Sequence, residues 1–148
     1  MKKKLIYICS PCRGNDGNYE HNIEMAQYYC RTVMHMFPNL LPIAPHVYFT
    51  QFLDDSDPCE RRMGMIAGME LLEQCSEVWV FGMENPSAGM KKEIAKANEL
   101  DIPIVDAAEA LTIHCRQCCH ICFRKCGGTT TENARATSGR KCQRGAVS

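Results

Sequence analysis

Four short apolar runs, separated by segments with helical periodicity, constrain the fold of this chain more than any other feature. The runs cover residues 5–9, 40–44, 78–81 and 102–105. Each run is continuously apolar, which is typical of strands buried on both faces of a parallel sheet. Parallel strands need crossover connections, and right-handed crossovers place helices on both faces of the sheet. The pattern therefore predicts an α/β fold with a doubly wound parallel sheet in three layers.

Three segments between these runs carry the signals of helices. The first covers residues 19–36, with apolar side chains near helical spacing. The second runs from Pro58 to about residue 74 with Asp57 as its N-cap, since Asp is favoured there and Pro at the first helical position. The third covers residues 89–100, and residues 47–57 are expected to form a loop.

The charge of the chain is divided between a predicted domain, residues 1–110, and a cysteine-rich tail, residues 111–148. The domain holds 10 basic and 16 acidic residues, whereas the tail holds seven basic residues and one acidic residue. An acidic domain is not typical of a nucleic-acid binder. The tail is expected to be a solvated, disordered extension, or to contact phosphate or the acidic domain.

The cellular compartment determines whether the 11 cysteines form disulfides or stay reduced. No run approaches the ~18 apolar residues of a membrane span, and the start, MKKKLIYICSPCRGN, makes a poor secretion signal. We therefore expect a cytoplasmic protein without a membrane partner, in which cysteines are free, metal-bound or reactive. Zinc in the tail is one interpretation and adventitious metal binding is the other, because all the candidate ligands lie close together. These ligands are Cys115, Cys118, Cys119 and Cys122.

The ends of the predicted strands indicate where a ligand would bind. In an open α/β sheet, ligands bind beyond the carboxyl ends of the strands, where the strand order reverses. Small, polar and turn-forming residues gather at three such ends, which suits a pocket for a small polar molecule. The candidate ligand-binding residues are Ser10, Pro11, Arg13, His46, Met83, Ser87, Gly89 and Met90.

Glu93 is the candidate catalytic residue. It lies about one turn beyond Gly89, where a helix N-terminus would favour an ionised carboxylate. An ionised carboxylate beside a sugar can attack the anomeric carbon and form a glycosyl-enzyme intermediate. The alternative is a solvated helix residue that pairs with Lys92 or Lys96.

Four blocks of sequence, in this order, resemble a small domain family of unknown function found in phages and bacteria and related to nucleoside 2-deoxyribosyltransferases. The blocks are IYICSPCRGN, PIAPHVYFTQFLDD, LLEQCSEVWVFG and SAGMKKEIAKANELDIPIV, and the likeness covers roughly residues 4–106. It implies a flavodoxin-like fold, no cofactor in the core, and a homo-oligomer in which neighbours complete the pocket. It also implies that Glu93 is the nucleophile on C1′, that Ser87 and Gly89 hold the sugar or a 5′-phosphate, and that Ser10-Pro11 lies near the base.

Two positions depart from the pattern of the related transferases. The Asp that serves proton transfer to the base would fall near Gly68 or Met69, and Glu70 is close by but is expected to face elsewhere. Ser76 replaces an Asp that is usual before the third strand. Loss of a general acid costs about 10²–10⁴-fold in rate, and His46 or Asp57 is the only substitute that we can suggest.

Two functions are therefore expected from different classes. One is a nucleoside or nucleotide N-glycosidase or 2-deoxyribosyltransferase-like enzyme, a hydrolase or transferase, with Glu93 as nucleophile. The alternative is non-catalytic binding of a nucleotide-derived signal, such as an ADP-ribose derivative, for sequestration or sensing in phage anti-defence. A metal-dependent regulator acting through the cysteine tail ranks below both.

Overall fold

The computed structural model describes residues 2–13 and 18–126, with side chains described up to Arg116. The chain divides into a compact unit that ends at Cys115 and a second unit that begins at Arg116. Of the second unit, the structure describes the helical backbone up to Cys126 and the side chain of Arg116. The elements in chain order are β1 (Lys4–Cys9), α1 (Tyr19–Met36), β2 (Leu40–Ile43), α2 (Pro45–Phe49), α3 (Pro58–Glu73), β3 (Glu77–Val80), α4 (Ala88–Glu99), β4 (Ile104–Asp106) and α5 (Ala107–Cys126).

The four strands form one parallel sheet in the order β2-β1-β3-β4. The strand β1 is central, with Tyr7 paired to Ile43 on one side and to Val78 on the other. The strand order reverses direction at β1, as it does in flavodoxin-like sheets. The predicted doubly wound α/β fold is confirmed.

The two faces of the sheet have separate cores because successive side chains of a strand point to opposite sides. On the face covered by α1 and α5, here the α1–α5 face, Ile6 and Ile8 pack with Trp79, Phe81 and Val33. On the face covered by α3 and α4, here the α3–α4 face, the buried side chains include those of Tyr7, Cys9, Leu72, Val80 and Met90.

Two helices were not predicted from the sequence. The short helix α2 begins at Pro45, whose fixed φ suits a first helical position. It includes residues 47–49, which were expected to belong to the loop. Helix α5 begins at Ala107, and Ala107, Ala110 and Leu111 pack against the α1–α5 core. No helix among those found between residues 19 and 126 is long and apolar enough to cross a membrane.

Candidate active site

A pocket of about 240 Å³ lies on the α3–α4 face, and its walls come from β1, α2, α3, the start of α4 and the α2–α3 connection. The predicted residues His46, Gly89 and Glu93 line it. This is the end of the sheet at which doubly wound folds bind ligands. The apolar part of the wall comes from Pro45, Phe49, Leu53, Met65 and Met69.

Glu93 is held in the pocket wall by a hydrogen bond across the fold. The hydroxyl of Tyr7, which β1 places on the α3–α4 face, donates to Oε1 of Glu93 at 2.8 Å. Glu93 is partly buried, and Lys96 pairs instead with Glu73 at 3.1 Å. The geometry is therefore that of an oriented carboxyl group, not of a solvated helix residue.

Burial sets the ionisation of this carboxyl group. Desolvation raises the pKa of Glu93, and hydrogen bonds from the thiol of Cys9 and the hydroxyl of Tyr7 oppose that rise. Burial and the nearby Glu93 likewise raise the pKa of Tyr7, which keeps its proton and remains a donor. Desolvation is the largest of these effects, so the pKa of Glu93 lies above its ordinary value.

His46 lies beside the same cavity as a neutral imidazole. Burial lowers its pKa to about 4, and Nε2 lies 3.2 Å from the hydroxyl oxygen of Ser10. Ser10 itself is buried, and its hydroxyl is within hydrogen-bonding distance of this ring. A neutral imidazole is a weak proton donor, so His46 is poorly suited to replace the missing general acid.

Helix α3 comes close to the site at Gly64 and Gly68, which both line the pocket. A Cβ atom at Gly68 would lie 3.5 Å from the hydroxyl oxygen of Tyr7 and 3.7 Å from Cβ of Pro45. Gly68 and Met69 line the pocket without supplying a carboxylate, and Glu70 is exposed. Asp57 is also exposed, and its side chain caps α3 by accepting from the backbone N–H groups of the first turn.

Part of the pocket lining, here called the charged end, is formed by Asp55, Glu60 and Arg61. The sequence analysis did not single out these three residues. Arg61 donates from Nη1 to Oδ2 of Asp55 at 3.0 Å, and the guanidinium of Arg13 binds the same carboxylate. The spacing of Asp55 and Arg61, six residues apart across a helix start, gave no pattern from which this pairing could be read.

Several predicted ligand-binding residues have other roles within the part of the chain that is described. Ser87 is the N-cap of α4 and accepts from the backbone N–H of Met90 at 3.3 Å. Met90 is buried in the α3–α4 core, and Met83 packs against that core. Arg13 lines a neighbouring cavity, and Pro11 is not among the residues that border either one.

The predicted metal ligands divide between described and undescribed side chains. Cys115 is described and exposed, whereas Cys118, Cys119 and Cys122 lie outside the described side chains. Up to Arg116, apart from residues 1 and 14–17, no three His, Cys, Asp or Glu side chains come together as a metal site. Zinc binding by the tail stays a prediction. Cys9 and Cys12 form a further Cys-x-x-Cys spacing, and burial raises the pKa of both thiols, that of Cys12 to about 11, which favours their protonated forms.

Comparisons with known proteins give a family and a structural neighbour. A search of curated proteins found no match. The 2-deoxyribosyltransferase of Bacillus psychrosaccharolyticus is a similar solved structure, with 15% identity, a TM-score of 0.49, and 68% of this chain and 69% of that chain covered. The model of a family described as "Domain of unknown function (DUF7768)" matches residues 4–107. This match confirms the predicted small domain family of unknown function, and the chain belongs to that family.

Proposed function

We propose that this protein binds a nucleoside or a nucleotide-derived molecule in the pocket and cleaves or transfers its N-glycosidic bond, with Glu93 as nucleophile. The observation that carries the proposal is the pair formed by Tyr7 and Glu93 in the pocket wall. The bond to Oε1 fixes the carboxylate while Glu93 still borders the cavity, as attack on a bound sugar requires.

The proposed reaction has two steps. Ionised Glu93 attacks the anomeric carbon, the C–N bond breaks, and its electron pair leaves with the base, which takes up a proton from solvent or from an acid in the site. The glycosyl ester of Glu93 is then cleaved by water in hydrolysis, or by the nitrogen of a second base in transfer. Tyr7 favours the ionised form that the first step needs, because its hydroxyl donates to the carboxylate.

The shape of the pocket supports a small molecule with an apolar part. Phe49, Met65 and Met69 offer an apolar wall on which a base can pack, and Glu93 borders the same cavity. A pocket that combines an apolar lining with a few oriented polar groups is the usual form of a small-molecule site.

We further propose that the protein acts in the cytosol and, as the resemblance implies, forms a homo-oligomer whose neighbouring subunits complete the pocket.

Binding without catalysis is the second candidate, and one observation favours it. The position at which the resemblance implies an acid for the leaving base falls near Gly68 or Met69, neither of which carries a carboxylate, and Gly68 faces the hydroxyl of Tyr7. His46, whose pKa burial lowers to about 4, is neutral near pH 7 and does not supply that acid either. Such a protein would sequester or sense a nucleotide-derived signal, such as an ADP-ribose derivative, and a phage could use it against host defence.

A ligand panel tests these functions. The protein is incubated with the four deoxynucleosides, their 5′-monophosphates, NAD and ADP-ribose. Free base is measured by chromatography, and retained ligand by mass spectrometry of the washed protein. We expect base release that falls by at least about 10³-fold in Glu93→Gln, because the nucleophile is lost. Glu99→Gln is the matched control, since Glu99 is an exposed residue of the same helix.

A covalent intermediate provides a direct check. A 2-fluoro-2-deoxy nucleoside should slow breakdown of the glycosyl ester and leave a sugar adduct on the peptide that contains Glu93. Retention of an intact nucleotide without turnover would contradict catalysis and support the binding protein. If the protein neither cleaved nor retained any of the compounds, that result would contradict both functions.

A further inference from the structure

A second cavity adjoins the pocket at its charged end. This outer cavity has a volume of about 540 Å³ and shares Thr50, Leu53 and Asp55 with the pocket that contains Glu93. Its other lining residues include Arg13, Tyr19 and Ser56. A ligand bound at Glu93 therefore has room to extend past Asp55 into a more polar compartment.

Two arginines meet on one carboxylate where the cavities join. Arg61 Nη1 lies 3.0 Å from Oδ2 of Asp55, while Arg13 donates from Nε to the same oxygen and from Nη2 to the backbone carbonyl of Asp55. The side chains of Arg13 and Arg61 are 48% and 38% exposed, so both guanidinium groups stay accessible to a ligand. Both guanidinium groups keep N–H donors beyond those that Asp55 uses.

The other acids of this region already have donors. Asp54 accepts from the backbone N–H of Ser56 at 2.8 Å and from its hydroxyl at 2.6 Å. Glu60 accepts from the backbone N–H of Asp54 at 2.5 Å. In contrast, the contacts described use two of the five N–H donors of Arg13 and one of those of Arg61. The region therefore has donors in excess and suits a ligand group that is rich in acceptors.

We propose that Arg13 and Arg61, held by Asp55, form a phosphate subsite, and that the ligand is a phosphorylated nucleoside derivative. This inference rests on the proposed function and narrows its substrate class. Guanidinium groups bind phosphate through pairs of parallel N–H bonds, and two such groups reached from the base and sugar site fit one phosphate or a diphosphate.

Calorimetric titration of the full chain tests the subsite. The probes are the four deoxynucleosides, their 5′-mono- and diphosphates, and inorganic pyrophosphate alone. We expect at least one nucleotide to bind about tenfold or more tightly than its nucleoside, because charge-assisted hydrogen bonds are gained. Arg13→Gln and Arg61→Gln should each remove most of this preference. Arg62→Gln is the matched control, since Arg62 is an exposed neighbour that lines neither cavity.

The outcomes separate this inference from the proposed function. Equal binding of nucleosides and nucleotides, or a phosphate preference that survives in both arginine variants, would overturn the subsite and leave the nucleoside site standing. Pyrophosphate binding that requires both arginines, without binding of any nucleoside or nucleotide, would support the subsite and contradict the proposed function. No binding of any probe would contradict both, and circular dichroism of each variant shows that it is folded.

Discussion

The two faces of the sheet differ in composition although the same strands build both. In β1, Ile6 and Ile8 face α1 and α5, whereas Tyr7 and Cys9 face α3 and α4. The first pair is purely apolar, and the second brings a hydroxyl and a thiol to the carboxyl group of Glu93. One strand thus supplies core packing on one side and the candidate site on the other.

The two faces of the sheet also differ in packing, since one is filled by aromatic contacts and the other contains the pocket. On the α1–α5 face, Tyr29 stacks on Phe81 with ring centroids 3.9 Å apart, and Phe37 meets Trp79 edge-on at 5.0 Å. On the α3–α4 face, Gly64 and Gly68 leave space that becomes the pocket. A closely packed face can carry much of the stability, which lets the other face hold a cavity and a buried carboxyl group.

Ile8→Ala should have the largest effect on stability. The substitution leaves a cavity in the α1–α5 core, so we expect the free energy of unfolding to fall by about 2–5 kcal/mol. Urea denaturation measures the loss. Ligand binding by the folded fraction should be unchanged, since the side chain points away from the pocket.

Tyr7→Phe is the matched variant on the opposite face. It removes one hydrogen bond and should cost only about 1–3 kcal/mol of stability, but it should impair base release or ligand retention. Loss of function in Ile8→Ala, or full function in Tyr7→Phe, would contradict the division of labour between the faces.

His46 should make the α3–α4 face sensitive to acid. Its folded-state pKa of about 4 lies below the ordinary value of 6.5 because the ring is buried, so the unfolded chain binds the proton first as pH falls. The stability is complete above about pH 6.5 and declines by about 3 kcal/mol as pH approaches 4. Unfolding of the wild type and of His46→Gln, measured from pH 7 to 4, should differ in slope across this window.

Glu93 acts with the opposite sign. Its raised pKa means that the folded state holds a proton more tightly than the unfolded chain, which adds stability as pH falls. The His46 effect is therefore best isolated in a Glu93→Gln background. Equal slopes with and without His46 in that background would show that the imidazole is not buried in the neutral form.

Gly68→Ala should have the smallest effect on stability and should affect the pocket instead. Alanine favours an interior helical position over glycine by about 0.5–1 kcal/mol, and the new methyl group meets Tyr7 and Pro45 at ordinary contact distances. The melting temperature should rise slightly while ligand affinity falls several-fold, because the methyl group enters the pocket beside Tyr7. Unchanged affinity in a titration would show that the ligand does not reach this end.

The fold could be predicted from the sequence because its signals are local. Buried parallel strands are apolar throughout, and the Asp57-Pro58 start of α3 is a cap that can be read directly. Helices α2 and α5 were missed for a physical reason. The first has only five residues, and the second buries little beyond Ala107, Ala110 and Leu111 among its described side chains, which is too few to show a period.

The site could be predicted only in part because its residues come from distant segments. Glu93 was predicted from its helix start and from the resemblance, but Tyr7 looked like any apolar residue of a buried strand. Strand alternation could have placed Tyr7 on the face opposite Ile6 and Ile8. The pairing of Arg13 and Arg61 through Asp55 depends on how the segment after β1 meets the α2–α3 connection and the first turn of α3, and no local pattern encodes it.

The register of the central strand has a consequence for synthesis of the chain on the ribosome. β1 is synthesised before the other strands of the sheet, yet one of its two neighbours is β3, which pairs Ile6 with Glu77 and Cys9 with Val80. Until translation has passed Val80, the backbone N–H and C=O groups on the edge of β1 that will pair with β3 stay unpaired. Unpaired edges of apolar strands promote aggregation. The interval between the synthesis of β1 and that of β3 is thus the stage at which this strand is most prone to aggregate.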